Sequence, residues 1–207
     1  MSANFIIKLL TLGESEVGKT SIVLRYSEDK FHDNKTATIG IDFKTKIIKK
    51  GNEKIKVSIY DTAGQEKFKN IVKNYYKGAN GVLLIFDISK KYTFEKLDFW
   101  LEDLKENSDT DNLNNLVIYL VGNKNDLEEK REVSSEEANQ FAMEHNLPYI
   151  EISAKTGNNI KKLFDEMVKK TLTKILTNAK KENNLSGSFN LAFLDKEEIA
   201  SKNNLCC

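Results

Sequence analysis

Gly13-Glu14-Ser15-Glu16-Val17-Gly18-Lys19-Thr20 follows the pattern G-x-x-x-x-G-K-[ST] and sits between the apolar run Phe5 to Leu12 and a helix-forming stretch. That order predicts a strand, a tight loop and a helix. In such a loop Gly13 and Gly18 let the backbone turn sharply and bring its amides against phosphate oxygens. The helix that follows adds free N–H groups and a partial positive end. Lys19 reaches the β- and γ-phosphates as a point charge, and the Thr20 hydroxyl is placed to ligate Mg²⁺. Alone, the loop specifies a nucleoside triphosphate and no particular base.

Three further fragments add the base and the reaction. Asp61-Thr62-Ala63-Gly64-Gln65 ends the strand signal 54–60. Asp61 supplies a hard oxygen suited to a water on Mg²⁺. Gly64 offers its amide to a γ-phosphate oxygen, and Gln65 carries both a donor and an acceptor with which to orient an attacking water. Asn123-Lys124-Asn125-Asp126 follows the apolar strand 116–121, at the carboxyl end where open α/β sheets bind ligands. The Asp126 carboxylate can accept two hydrogen bonds from guanine N1–H and the exocyclic amine, a pair adenine lacks. Asn123 can tie this loop to the phosphate loop, and the stem of Lys124 can cover the flat base. In Ser153-Ala154-Lys155 the Ala154 amide suits the guanine O6 carbonyl. Together these fragments fit a guanine nucleotide.

Composition is compatible with that reading. The 207 residues, 40% of them apolar, suffice for one domain with a core and a tail. A net charge of +1, from 32 basic and 31 acidic residues, gives no global field for a nucleic-acid partner. No run approaches eighteen apolar residues, so no membrane span is expected. Lys8 interrupts the first apolar run, which reads as a buried strand and not as a signal peptide. Cys206 and Cys207 are the only cysteines, which excludes a disulfide framework and suggests a reducing compartment.

Strand signals lie at 5–12, 41–49, 54–60, 82–86, 116–121 and 148–152; helical signals lie at 18–27, 67–77, 92–107, 134–146 and 158–180. Unbroken apolar runs such as Val82 to Phe86 suit a parallel sheet covered on both faces. The alternating segment Ile55, Val57, Ile59 is expected nearer an edge. Ser134 and Ser135 before Glu136 and Glu137 mark a helix start. From Glu182 the periodicity fades. The expected organisation is a domain over 1–181 and a flexible tail over 182–207.

The chain resembles the Rab proteins, the membrane-trafficking branch of the Ras-like small GTPases, over residues 5 to about 180 and at the terminal cysteines. Beyond the nucleotide motifs, Thr38-Ile39-Gly40-Ile41-Asp42-Phe43 resembles the effector segment. Lys67-Phe68-Lys69-Asn70 and Tyr75-Tyr76-Lys77-Gly78-Ala79 resemble the second switch region. The resemblance implies a P-loop NTPase fold of class α/β, with a six-stranded, mostly parallel sheet flanked by five helices. It implies GTP/GDP contacts from Gly13, Ser15, Glu16, Val17, Gly18, Lys19, Thr20 and Ser21, with Phe31 against the guanine ring and Thr38 and Gly64 at the γ-phosphate. Asn123, Lys124, Asp126, Ser153, Ala154 and Lys155 then hold the base. Thr20, Thr38 and Asp61 are the implied Mg²⁺ residues, and Gln65, Lys19 and Gly64 the implied catalytic ones. Effector and switch contacts are implied at Ile39, Gly40, Ile41, Asp42, Phe43, Tyr60, Phe68, Tyr75 and Tyr76.

The implied partners of this expected monomer are an exchange factor, a GTPase-activating protein, effectors, a prenylation escort protein and a GDP-dissociation inhibitor. Rab proteins ending in Cys-Cys carry two geranylgeranyl groups. Two such chains on Cys206 and Cys207 would anchor firmly where one is marginal. The implied location is the cytoplasmic face of intracellular membranes, with a carrier-bound cytosolic pool. Residues 183–205 would span roughly 25 Å as a coil. The apolar stretch Phe189 to Leu194 reads either as packing on the domain or as a carrier-docking segment.

Three residues depart from the family pattern. Glu16 either brings a carboxylate near the polyphosphate or turns its side chain to water and offers only its amide; Lys35 replaces an aromatic lid residue, and Tyr60 replaces the Trp that usually precedes Asp-Thr-Ala-Gly-Gln. Tyr60 is expected to form an apolar patch with Phe43 and Tyr75 or Tyr76. The rival readings are a permanently nucleotide-bound, non-hydrolysing scaffold and an ATP-using P-loop enzyme. Thr20, Thr38, Asp61 and Gln65 argue against the first, and Asn123 and Asp126 against the second. A Rho identity would need an inserted helix between 126 and 134, for which there is no room.

Overall fold

In a computed structural model, the structure describes residues 3–32, 41–62, 69–108 and 110–181. The six strands are β1 (Phe5–Leu12), β2 (Ile41–Lys50), β3 (Glu53–Thr62), β4 (Gly81–Asp87), β5 (Val117–Asn123) and β6 (Tyr149–Glu151). They form one sheet in the order β2-β3-β1-β4-β5-β6. Only β2, the hairpin partner of β3, runs antiparallel; the other pairs are parallel. The alternating strand β3 lies next to the edge strand β2, as its pattern predicts.

Period-two alternation divides the strand residues between two cores. On one face Ile7 and Leu9 of β1, Val57 and Ile59 of β3, and Leu83 and Ile85 of β4 meet two helices, α1 (Lys19–Glu28) and the 22-residue α7 (Ile160–Lys181). There Tyr26 of α1 stacks on Phe164 of α7, ring centroids 3.7 Å apart. On the other face Leu10, Leu12, Val82, Leu84 and Phe86 meet Tyr76 of α2 (Lys69–Tyr76). They also meet Leu97, Trp100 and Leu104 of α4 (Leu97–Asn107), and Ala138 and Ala142 of α6 (Ser135–Glu144). Burial on both faces is what lets β4 be apolar without alternation.

The helix expected over 92–107 is broken into α3 (Lys91–Glu95) and α4 by Lys96, whose φ of −85° and ψ of −3° interrupt the helical course. A short helix α5 (Thr110–Asn115) and a 3-10 helix (Asn125–Lys130) were not expected. Ser134 caps α6, its Oγ accepting from the Glu137 amide at 3.1 Å, with Glu136 and Glu137 in the first turn. No helix of the described residues is long and apolar enough to cross a membrane. Lys35, the tail over 182–207, its Phe189 to Leu194 stretch, Cys206 and Cys207 lie outside the described residues.

All five parallel strands end on the same side of the sheet, so the loops after β1, β3, β4, β5 and β6 converge there. The α1–α7 layer holds the loop after β1 against the sheet. Phe164→Ala is expected to cost about 3–5 kcal/mol, from lost burial and the cavity it leaves. Denaturant unfolding checks this; a loss below about 1 kcal/mol would mean that the ring stack does not matter.

Candidate functional site

The loop between β1 and α1 is shaped by two glycines that no other residue can replace without strain. Gly13 has φ +138°, and a Cβ there would lie 2.1 Å from the Ile85 carbonyl oxygen of β4. Gly18 has φ +95°, and a Cβ there would lie 2.4 Å from Asn123 Nδ2. Lys19 is buried, and its ammonium donates to the carbonyls of Gly13 at 2.9 Å and Glu14 at 2.6 Å. The lysine thus arcs back over the loop that its own helix follows. Burial pushes its pKa down to about 8, with Asp61 and Glu14 opposing the shift.

Asp61, 1% exposed at the end of β3, faces the start of α1. Its Oδ2 accepts from the Thr20 hydroxyl at 2.5 Å and its Oδ1 from the Thr11 hydroxyl at 3.3 Å. Burial, the largest influence, holds its pKa above the usual carboxylate value. A buried carboxylate beside a hydroxyl, both hard oxygen donors, fits Mg²⁺, which keeps several waters and takes few protein ligands. Thr38, Gly64 and Gln65 lie outside the described residues, as do Ile39, Gly40 and Phe68.

Asn123 joins the two halves of the site. Its Nδ2 donates to the Val17 carbonyl of the phosphate loop at 2.7 Å, and its Oδ1 accepts from the Ala154 amide at 3.2 Å. The amide expected at a guanine carbonyl is therefore turned toward Asn123 here. Ser153 Oγ donates to Asp126 Oδ1 at 2.6 Å and accepts from the Thr156 amide at 3.0 Å, which fixes the carboxylate in one rotamer. Lys124 adopts φ +69°, and its ammonium bridges Asp87 Oδ2 at 2.6 Å and the Glu16 carbonyl at 2.9 Å. Asp87, at the end of β4, also accepts from Ser89 N and Oγ. The loops after β1, β4, β5 and β6 thus form one hydrogen-bonded unit.

Glu16 has φ +63°, a conformation that favours glycine. Its carboxylate pairs with Lys90 Nζ at 2.9 Å, so the expected repulsion of phosphate is offset by a neighbouring cation. Ser15 and Ser21 are half-buried in the loop and the first turn of α1. Phe31, expected on the guanine ring, is half-buried against the core under α1 and α7.

Of the expected surface patch, Phe43, Tyr60 and Tyr75 come together, with centroids 5.0 Å apart for Phe43–Tyr60 and 5.3 Å for Tyr60–Tyr75. Tyr76 does not join them. It is 0% exposed and donates its hydroxyl to Asp103 Oδ2 at 2.7 Å, so it is a core residue and not an effector contact. Ile41 packs on the same core, while Asp42 is exposed.

Sequence reasoning missed several contacts at the site. Arg25 donates to the carbonyls of Ala154 and Lys155. Trp100 Nε1 donates to Glu14 Oε1 at 3.0 Å, holding the phosphate loop from α4. Arg131 makes forked contacts to Glu128 and Glu151, tying the 3-10 helix after Asp126 to β6. The acceptors of Arg25 in the loop after β6 are backbone oxygens, which leave no signature in side-chain spacing.

A glycine-cradled loop, a helix N-terminus with an inward lysine, a Thr–Asp oxygen pair and a side-chain-locked acidic loop define a P-loop nucleotide site. Residues 8–173 match the sequence profile of the Ras family. The chain is 38% identical over 192 residues to the Ras-related protein Rab-13 of Bos taurus, covering 93% of each chain. It is 44% identical over 166 residues to the Ras-related protein Rab-18 of Lymnaea stagnalis, covering 80% of each. The chain belongs to the Ras family and, within it, to the Rab small GTPases. It binds guanine nucleotide and is a GTPase of the membrane-trafficking branch, and its partners are of the regulator and effector kinds.

With the expected role of Lys19 as the charge that neutralises phosphate, nucleotide binding above pH 8 would take up a proton. Affinity for GDP is therefore expected to hold below pH 8 and to fall about tenfold between pH 7 and pH 9. Titration with a fluorescent GDP analogue checks this. Lys19→Met should bind weakly with a flat profile; an equally steep profile in that variant would assign the proton elsewhere.

Proposed function

We propose that the protein is a GTP-operated switch that hydrolyses GTP slowly by itself and recruits effectors to a membrane when GTP-bound. The observation that supports this most directly is the Asn123 carboxamide, which holds the phosphate loop and the guanine loop in one frame. A ligand with a guanine at one end and a polyphosphate at the other spans that frame; a free phosphate or an isolated base would use only half of it.

In this reading Asp126 accepts from guanine N1–H and the exocyclic amine, already oriented by Ser153. The Lys19 ammonium exchanges its contacts with the Gly13 and Glu14 carbonyls for β- and γ-phosphate oxygens. Thr20 and Asp61, with Thr38, would hold Mg²⁺, which when bound supplies positive charge against the phosphates. Gln65 orients a water in line with the γ-phosphorus. Its oxygen forms the new P–O bond as the bond to the β,γ-bridging oxygen breaks, and GDP and inorganic phosphate leave. Lys19 and the loop amides, including that of Gly64, stabilise the charge that develops.

Arg25 and Arg131 are the only arginines in the chain, and both are engaged away from the phosphates. No internal arginine finger is available, so intrinsic turnover is on the order of 10⁻⁴ s⁻¹ until an activating protein assists. Loss of the γ-phosphate releases Thr38 and Gly64, and that change is what effectors read. The Phe43–Tyr60–Tyr75 patch is the described part of the effector surface. Two prenyl groups on Cys206 and Cys207, added with an escort protein, would anchor the domain at the cytoplasmic face of intracellular membranes. A GDP-dissociation inhibitor would extract it, and an exchange factor would reload it.

Gln65→Leu is expected to keep GTP affinity and slow single-turnover hydrolysis at least tenfold. Hydrolysis at the unmodified rate would remove Gln65 from the mechanism. Thr20→Asn, which impairs the Mg²⁺ site, is expected to favour the GDP-bound or nucleotide-free form. Normal capture of GTP-dependent effectors by that variant would overturn the metal assignment.

A further inference from the structure

We infer that Arg25 is a positioning residue of the guanine pocket: from the last turn of α1 it aligns, through two backbone carbonyls and Ser153, the carboxylate of Asp126. The guanidinium is a rigid fork with five donors, and here three of its nitrogens are used. Nε donates to the Ala154 carbonyl at 2.9 Å and Nη2 to the Lys155 carbonyl at 2.8 Å. Nη1 donates to the side chain of Asp29 at 3.0 Å and to its carbonyl at 3.2 Å. The Arg25 side chain is only 18% exposed, and its contact with the Ala154 carbonyl is partly buried, whereas those with Lys155 and Asp29 lie at the surface.

A trans peptide directs its C=O and N–H to opposite sides. Holding the Ala154 carbonyl on Arg25 therefore turns the Lys155 amide to the opposite side of the loop. Holding the Lys155 carbonyl does the same for the Thr156 amide, which donates to Ser153 Oγ at 3.0 Å. That hydroxyl, oriented by the bond it accepts from Thr156, directs its own proton to Asp126 Oδ1 at 2.6 Å. The sequence of contacts runs from Arg25 to the Lys155 peptide, to Ser153 and to Asp126. It begins on the same helix that carries Lys19 and Thr20, so α1 serves both ends of the nucleotide. Asp29, in the left-handed conformation that ends α1, is held by the same fork, two residues before Phe31.

The inference rests on the reading of Asp126 as the group that recognises the exocyclic amine of guanine. The test compares GDP with inosine diphosphate, which lacks only that amine, on the full chain with Mg²⁺ present. Wild type is expected to prefer GDP. Arg25→Ala is expected to weaken GDP binding about tenfold and inosine diphosphate binding much less, so that the preference shrinks at least threefold. Arg25→Lys, which keeps the charge but cannot bridge both carbonyls, is expected to lose less. It also supplies the readout if the alanine variant does not fold. Ser153→Ala should reproduce the loss, and Arg25→Ala with Ser153→Ala should lose no more than either alone. Equal weakening of both nucleotides, or additive losses in the double variant, would make Arg25 a general brace and overturn the inference. A wild type without preference would instead overturn the Asp126 reading, and the Arg25 role with it.

Discussion

One carboxamide holds the site together. Asn123 gives its Nδ2 to a carbonyl of the phosphate loop and takes, on Oδ1, an amide of the loop after β6, both in buried surroundings. A buried polar group left without a partner costs about 1–3 kcal/mol, so these contacts fix the distance between the two loops more firmly than packing would. Gly18 is part of the same constraint. Any Cβ there would run into Asn123 Nδ2, so the glycine is demanded by the approach of a side chain as well as by its own φ of +95°. The phosphate end and the base end of the site are thus dimensioned by one residue on β5.

Around that contact the fold is economical. Five parallel strands deliver their carboxyl ends to one edge, and each of those ends carries a residue with work at the site. Thr11 lies in the last two residues of β1 and the phosphate loop follows, Asp61 lies in the last two of β3, Asp87 ends β4, Asn123 ends β5 and Ser153 follows β6. Side chains further back along the same strands build the two cores. A change to the packing under β4 or β5 therefore acts on the position of charged groups at the edge.

The strands were legible because buried parallel strands are written as apolar runs, and the single alternating one sits beside the hairpin edge. The glycine-shaped loop after β1, Asp61 and the loops after β5 and β6, which the structure brings to one end of the sheet, were legible because their motifs put particular side chains at short spacing; Gly64 and Gln65 lie outside the described residues. What was not legible follows from physics that sequence does not encode locally. The break at Lys96 has no glycine or proline to mark it; the apolar pattern runs on across it. Nothing in Tyr75-Tyr76 says which ring turns inward; Asp103, on a different helix, decides by accepting the Tyr76 hydroxyl. The partners that tie Arg25 to the loop after β6 are the Ala154 and Lys155 carbonyls, to which any residue type could have contributed. Glu16 stays open between a charge near phosphate and a solvated side chain, because its partner Lys90 lies far along the chain.

Lys8, in the middle of β1, has a wider role than filling a strand position. Its ammonium donates to the Lys77 carbonyl at 2.7 Å and lies over the rings of Tyr60 and Tyr75, 5.2 and 5.7 Å from their centroids. Tyr76 beside it is locked to α4 through Asp103, and Gly78 follows in a left-handed turn. The carboxyl end of α2 is therefore pinned on both sides, to the sheet and to its neighbouring helix. The aromatic patch shares Tyr75 with that pinned end, so the cluster of Phe43, Tyr60 and Tyr75 is moored at once to the sheet through Lys8 and to α4 through the neighbouring Tyr76.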